Sequence, residues 1–127
     1  MNSNLKITLA VVAGAALGAA AMQGLHAQAK PKAYTITESE TLDAAAQAAY
    51  TPLVQAALKA AGGRVFNTAG GKVVALVGDA PKRVAINEWD SLEQAQAFYN
   101  SAAFKSLTPQ QMKANKTVRR YILEAVN

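Results

Sequence analysis

The stretch RVAINEWDSLEQAQAFY, residues 83–99, decides the fold of this chain. Its first half is rich in strand-forming apolar residues and predicts a β-strand over residues 83–89. Ser91, followed three residues later by Gln94, is a capping-box pattern that begins a helix. The apolar side chains of that helix recur at helical spacing, at Leu92, Ala95, Phe98, Tyr99 and Ala102. The stretch therefore predicts a strand that passes directly into an amphipathic helix.

The segments before this stretch add a strand and a longer helix. Residues 33–39 alternate between apolar and polar side chains and predict a first strand. Residues 43–61 are rich in alanine and predict a helix that ends at Gly62-Gly63. Pro52 lies inside this helix, so the helix either kinks there or restarts with Thr51 as its cap.

The remaining elements complete the order of the fold. Residues 64–68 predict a second strand, which the glycines at 70 and 71 interrupt and the apolar residues 72–77 continue. A short helix is predicted over residues 108–114 and a last strand over residues 117–126. The order β-α-β-β-α-β predicts an α+β, ferredoxin-like fold: an antiparallel sheet with its helices on one face.

The second face of this sheet also carries apolar residues. Residues 72–77 and 121–126 are apolar in both strand parities, whereas the helices cover one face only. A second copy of the chain is the simplest cover for the other face, which predicts a homodimer packed sheet to sheet. The alternative is a mixed face whose apolar residues lie at strand ends.

The first residues have the pattern of a secretory signal peptide. Lys6 precedes an uncharged apolar run over residues 7–22, and Ala27-Gln28-Ala29 is a small-x-small cleavage site. The run is shorter than the roughly 20 residues of a membrane span. We expect cleavage after Ala29, which leaves a secreted, periplasmic domain of residues 30–127 without a membrane span. The alternative is an uncleaved N-terminal anchor.

Composition excludes several kinds of chemistry. The chain has no cysteine, and its one histidine, His26, precedes the expected cleavage site. Thiolate, imidazole and Ser-His-Asp mechanisms are therefore excluded from the mature domain. The carboxylates are scattered and no phosphate-binding motif is present, so we expect neither a metal nor a cofactor. The basic excess, a net charge of +5, is spread out, which argues against nucleic-acid binding.

Glu88 is the acid best placed for catalysis. It lies in an apolar strand, and if its side chain faces the helices, burial raises its pKa and makes it a candidate general base. The alternative is a structural ion pair with Arg64, Arg119 or Arg120.

A second group of residues is a candidate ligand site. Arg119 and Arg120 are adjacent on one strand and must face opposite sides of the sheet. An arginine under the helices would clamp a carboxylate. We assign that role to Arg119, and the rest of the candidate binding site to Tyr34, Arg64, Trp89 and Tyr99. The alternatives are a salt bridge of the arginine to Glu88 or Glu124 and a packed core for the aromatic rings.

Three segments carry a resemblance to a known family: Gly62-Gly63-Arg64, the stretch GDAPKRV at residues 78–84, and EWDSLE at residues 88–93. On these segments the domain resembles the bacterial family numbered thirteen-thirty among the domains of unknown function, in the dimeric α+β barrel superfamily. The resemblance extends over residues 34–126. It implies the fold and dimerisation, and no activity is established for the family.

Three functions are compatible with these patterns. The leading one is a secreted dimeric barrel that binds a small apolar or anionic molecule between its helices and its sheet. The second is a cofactor-independent enzyme, similar to monooxygenases or isomerases of this superfamily. It would use Glu88 as the base, Arg119 as the anion clamp and Tyr99 or Tyr34 as the hydroxyl donor. The third is a structural dimer without a pocket.

Overall fold

The structure is a computed structural model that describes residues 30–126, so the predicted signal peptide over residues 1–29 lies outside the described residues. The described chain forms four strands and four helices. In chain order these are β1 (Ala33–Thr41), α1 (Ala44–Ala60), β2 (Arg64–Phe66), β3 (Arg83–Trp89), α2 (Leu92–Tyr99), α3 (Ala102–Lys105), α4 (Thr108–Ala114) and β4 (Asn115–Glu124).

The strands form one antiparallel sheet in the order β2-β3-β1-β4. Ile36 at the centre of β1 pairs with Ile86 on one side and Tyr121 on the other. A β-bulge interrupts the pairing of β1 with β4 between Glu38 and Ser39. The α+β fold, with a four-stranded antiparallel sheet and helices on one face, is confirmed.

The core lies between the helices and the sheet, around Trp89. This side chain is 0% exposed, and its indole Nε1 donates a hydrogen bond to Thr35 Oγ1 at 2.9 Å. Leu58 of α1 and Phe98 of α2 pack into the same cluster. Gly63, which follows α1, is buried against the ring: a Cβ atom there would lie 2.9 Å from Trp89 Cη2. The end of α1 therefore lies directly over the end of β3.

Polar side chains cap the starts of α1 and α2, and the predicted alternative in which α1 restarts at Thr51 is wrong. Asp43 Oδ1 accepts a hydrogen bond from the Ala46 N–H at 2.7 Å and caps α1, and Ser91 caps α2. A single helix runs through Pro52, so the predicted restart at Thr51 does not occur. The Thr51 hydroxyl instead donates to the carbonyl of Gln47 at 2.9 Å, as a residue inside a helix does.

The predicted continuation of the second strand over residues 72–77 is also wrong. These residues form neither a helix nor a strand, and both Leu76 and Val77 are 95% exposed. β2 is an edge strand that ends at Phe66, so the segment meets no neighbouring strand within the described chain. Strand-like composition without a pairing partner does not make a strand.

Across residues 30–126 we find no helix whose length and apolar character would suit a membrane span.

Candidate functional site

The sheet has two faces of different character. Side chains alternate along each strand, so Thr35, Thr37 and Ser39 of β1 face the helices, while Tyr34, Ile36 and Glu38 face the other way. We call the second side the open face, because no helix among residues 30–126 covers it. The pairing register assigns the residues of β3 and β4 to the same two sides. Arg83 pairs with Ser39, and Arg120 pairs with Thr37, so both arginines face the helices.

A cleft of about 80 Å³ lies on the helix side, between α1 and the sheet. A single bound water needs roughly 10–15 Å³ of such space, so the cleft has room for a small organic molecule. Its apolar wall includes Val54 and Leu58 of α1, with Val65 of β2. No aspartate or glutamate is among the described residues that line it.

Two arginines enter this cleft from β3 and β4. Arg120 Nε donates a hydrogen bond to Thr37 Oγ1 at 3.0 Å, and its guanidinium carbon lies 5.2 Å from the ring centroid of Tyr99 and 5.1 Å from that of Phe104. Burial lowers the pKa of the Arg83 guanidinium, and the nearby Tyr50 hydroxyl opposes that shift. Within residues 30–126 neither arginine forms an ion pair with a carboxylate.

Two tyrosine hydroxyls lie beside these guanidiniums. Burial raises the pKa of Tyr50, while the charges of Arg120 and Arg83 act in the opposite direction. Burial also raises the pKa of Tyr99, although a hydrogen bond with Thr35 and the Arg120 charge lower it. Both hydroxyls are therefore neutral at pH 7 and available as hydrogen-bond donors.

A network of amides lines one end of the cleft. Asn115 Nδ2 donates to Gln47 Oε1 at 2.8 Å, and Gln111 Nε2 donates to Asn115 Oδ1 at 2.9 Å. Gln47 Nε2 in turn donates to Thr51 Oγ1 at 3.0 Å. The described part of the chain has no buried side-chain nitrogen or oxygen without a hydrogen-bond partner. This network therefore fixes α1 and α4 against β4 and leaves ligand contacts to the arginines and hydroxyls.

Glu88 lies on the open face, on the opposite side of the sheet from the cleft. Its carboxylate pairs with Lys32 Nζ at 2.6 Å and with Arg64 Nε at 3.3 Å. Hydrogen bonds from Lys32 and Arg64 lower its pKa, whereas the general-base hypothesis requires a raised one. The predicted alternative, an ion pair with Arg64, is what the structure contains.

Arg119 also lies on the open face. Its Nε and Nη2 donate to the two carboxylate oxygens of Glu38 at 2.6 and 2.9 Å, a bidentate pair. The acid is neither Glu88 nor Glu124, the partners considered from sequence. Its neighbour Arg120 takes the position under the helices that we expected for Arg119.

The predicted ligand residues thus divide between the two faces. Tyr99 lines the cleft, and Trp89 is buried in the core next to it. Tyr34, Arg64 and Arg119 share the open face with Glu88, so the structure does not bring them to the cleft.

The sequence reasoning did not single out Arg83 and Tyr50. Arg83 has the same strand parity as Trp89, and the apolar character of Trp89 was the available signal for its direction. Tyr50 is far from both arginines in the sequence, and no local sequence pattern indicates that it lies near them.

The described residues contain no group of three or more His, Cys, Asp or Glu side chains that would hold a metal ion.

Comparison with known proteins gives a family and a similar structure, both of unknown function. The family model described as a domain of unknown function (DUF1330) matches residues 32–126. No functionally curated protein matches the chain. Among solved structures, it is similar to the crystal structure of RPA0582, a protein of unknown function from Rhodopseudomonas palustris, at 16% identity and a TM-score of 0.61. That match covers 84% of this chain and 92% of the other, and it shows the shared fold.

Proposed function

Because the chain belongs to the DUF1330 family, which is defined only as a domain of unknown function, we propose a function from the geometry of its own cleft. The protein binds a small organic anion between α1 and the helix-facing side of the sheet. Arg83 and Arg120 supply the positive charge, and the hydroxyls of Tyr50 and Tyr99 supply further hydrogen bonds.

The observation that carries this proposal is the contrast among the four arginines of the chain. On the open face, Arg64 pairs with Glu88 and Asp90, and Arg119 pairs with Glu38. The two arginines that face the cleft have no carboxylate partner among the described residues. A partly buried cation without a counter-charge is costly, and a bound anion removes that cost.

The composition of the walls supports an organic anion. Val54 and Leu58 on one side and Val65 on another provide apolar surface in the same cleft as the two arginines. Ligand sites combine such walls with a few convergent polar groups that orient the ligand. In a carboxylate with a short apolar body, the charged group would pair with an arginine and the body would contact the apolar wall.

The experiment is native mass spectrometry of protein purified gently without added ligand. We expect a discrete acidic adduct on the wild type that is absent from an Arg83→Met/Arg120→Met double variant. Arg64→Met is the matched control, because it removes an arginine from the open face, and it should keep the adduct. An adduct that persists in the double variant contradicts the proposal. So does adduct-free wild-type protein that shows no saturable response to added butyrate.

We further propose that the open face is the interface of a homodimer. Its centre is apolar, with Ile36, Ile86 and Tyr121 in register across three strands. Phe66 and Leu123 extend this surface and are 41% and 54% exposed. Ion pairs border the apolar centre, with Glu88 on one side and Glu38 on the other. An apolar centre with a polar rim is the composition of a protein interface.

Finally, we propose that the mature protein begins at Lys30 and acts in the periplasm. The small-x-small site at residues 27–29 supports this location. Intact-mass measurement of protein from the periplasmic fraction tests it. The proposal predicts the mass of residues 30–127, and recovery of the full-length chain in the membrane fraction contradicts it.

A further inference from the structure

We infer that the anion is a short dicarboxylate, held with one carboxylate at Arg83 and the other at Arg120. This inference rests on the proposed function and specifies the class of ligand. Three observations support it: the strand positions of the two arginines, the contacts of each guanidinium, and their combined positive charge.

The two arginines arise on opposite sides of β1. Arg83 of β3 pairs with Ser39, and Arg120 of β4 pairs with Thr37. Neighbouring strands lie about 4.8 Å apart, and the two pairing partners are two residues apart along β1, about 6.6 Å. The two side chains therefore leave the backbone roughly 12 Å from each other. They therefore present two separate positive groups on either side of β1.

Different contacts surround the two guanidiniums. Thr37, Tyr99 and Phe104 hold Arg120 by a hydrogen bond and two ring faces. Arg83 instead interacts electrostatically with Tyr50. The charge of Arg120 also acts on the Tyr50 hydroxyl, and all three side chains line the same cleft, so this hydroxyl lies near both cationic groups. A molecule with an anionic group at each end fits this arrangement, and the Tyr50 hydroxyl can donate a hydrogen bond to one of its carboxylates.

Charge and volume restrict the ligand further. A monocarboxylate neutralises one guanidinium and leaves the other without a counter-charge, whereas a dicarboxylate neutralises both. The cleft of about 80 Å³ limits the body between the carboxylates to a few carbon atoms. The apolar side chains of Val54 and Leu58 line the space that those carbon atoms would occupy.

Isothermal titration calorimetry with three probes tests the inference on the whole mature protein. Succinate is the dicarboxylate, butyrate is the monocarboxylate of equal chain length, and inorganic phosphate is the compact anion. At about pH 7.5 both carboxyl groups of succinate are ionised. Because each charged pair adds roughly 1.5–3 kcal/mol, we expect succinate to bind at least ~10-fold more tightly than butyrate.

Variants assign the two ends of the ligand. Arg83→Met and Arg120→Met should each reduce succinate binding to within about 3-fold of butyrate binding, since one carboxylate then lacks its partner. Arg64→Met, the matched control on the open face, should leave the preference for succinate unchanged. Arg83→Lys and Arg120→Lys retain the charge and serve if either Met variant fails to fold; each should retain part of the preference.

Each remaining outcome overturns a defined part of the account. If butyrate binds as tightly as succinate and still requires both arginines, the dicarboxylate inference is wrong and the anion-binding function stands. If phosphate binds most tightly, the ligand is a compact anion and the inference is also wrong. If no probe binds, or if binding survives loss of both arginines, the proposed function itself is wrong.

Discussion

Arg120 Nε donates a hydrogen bond to Thr37 Oγ1 at 3.0 Å, across the pairing of β4 with β1. The bond holds a guanidinium inside the cleft without neutralising it, because a hydroxyl carries no charge. Thr37 thus orients Arg120 and leaves its charge available to a ligand. Glu38, the next residue along β1, forms the bidentate ion pair of the open face with Arg119. Adjacent residues on two strands thereby give one arginine a counter-charge and the other none.

Thr37→Val should weaken anion binding and leave the fold intact. The variant keeps the shape of the side chain and removes the acceptor, so Arg120 loses its fixed direction. A hydrogen bond of a charged group contributes about 1.5–3 kcal/mol, so we expect a loss of roughly 10-fold in affinity for succinate. Thr68→Val is the control, because the Thr68 hydroxyl donates to the Val84 carbonyl and does not line the cleft. Equal affinities for wild type and Thr37→Val contradict the role of Thr37.

Gly63→Ala should destabilise the protein through the core. Its new methyl group would lie 2.9 Å from Trp89 Cη2, closer than van der Waals contact allows. Overpacking of this kind costs about 1–3 kcal/mol in the free energy of unfolding, measured by urea denaturation. In a Trp89→Phe background the contacting ring atoms are absent, and the same change should cost clearly less. An equal cost in both backgrounds would show that the effect does not come from Trp89.

Glu88→Gln should change how stability depends on pH. The folded-state pKa of Glu88 is lowered by Lys32 and Arg64, so folding favours the ionised carboxylate. The resulting stabilisation is complete above the unfolded-state pKa of about 4.3 and is lost as pH falls through the lowered folded-state pKa. The wild type should therefore exceed the variant in unfolding free energy at neutral pH, and the difference should shrink as pH falls below about 4.3.

The Glu88 comparison has a control and a contrary outcome. Glu124→Gln removes a carboxylate that forms no ion pair within residues 30–126, so it should leave the unfolding free energy at neutral pH nearly unchanged. A difference between wild type and Glu88→Gln that grows as pH falls would require a raised pKa, the opposite of what the ion pairs produce. That result would also support the hypothesis that Glu88 is a general base.

Tyr121→Asp should convert the dimer to a monomer. Tyr121 lies at the centre of the open face, opposite Ile36, and is 47% exposed in the single chain. A carboxylate there would be buried without a partner at the interface, which opposes association. Met112→Asp, on α4 and away from the open face, is the control for an exposed apolar residue. Light scattering after size-exclusion chromatography gives the masses, and a wild-type monomer contradicts the proposed interface.

The fold was predictable because its signals are local. The strand, cap and helix in residues 83–99 and the start of α4 at Thr108-Pro109 depend on neighbouring residues, and the structure contains them as expected. The segment over residues 72–77 was not predictable in the same way. Its apolar composition resembles that of a strand, but a strand also needs a pairing partner, and composition does not reveal whether one is present.

The candidate site was predictable only in part, because it depends on register. The sequence shows that Arg119 and Arg120 face opposite sides, yet the choice between them follows from the pairing of β1 with β4 and its bulge at Glu38 and Ser39. Strand parity shows that Glu88 faces the opposite side from its neighbours, but it does not show which side the helices cover. Tyr50 meets the arginines through the packing of α1 on the sheet, a contact that no local pattern contains.

The most direct test of the central claim follows the side-chain Nε–Hε signals of the four arginines by ¹⁵N NMR during a titration with butyrate. Butyrate carries a single carboxylate, so the test does not depend on the dicarboxylate inference. We predict saturable shifts for Arg83 or Arg120, or for both, while the ion-paired Arg64 and Arg119 stay unchanged as internal references. Uniform small shifts of all four signals, or shifts confined to Arg64 and Arg119, would contradict anion binding in the cleft.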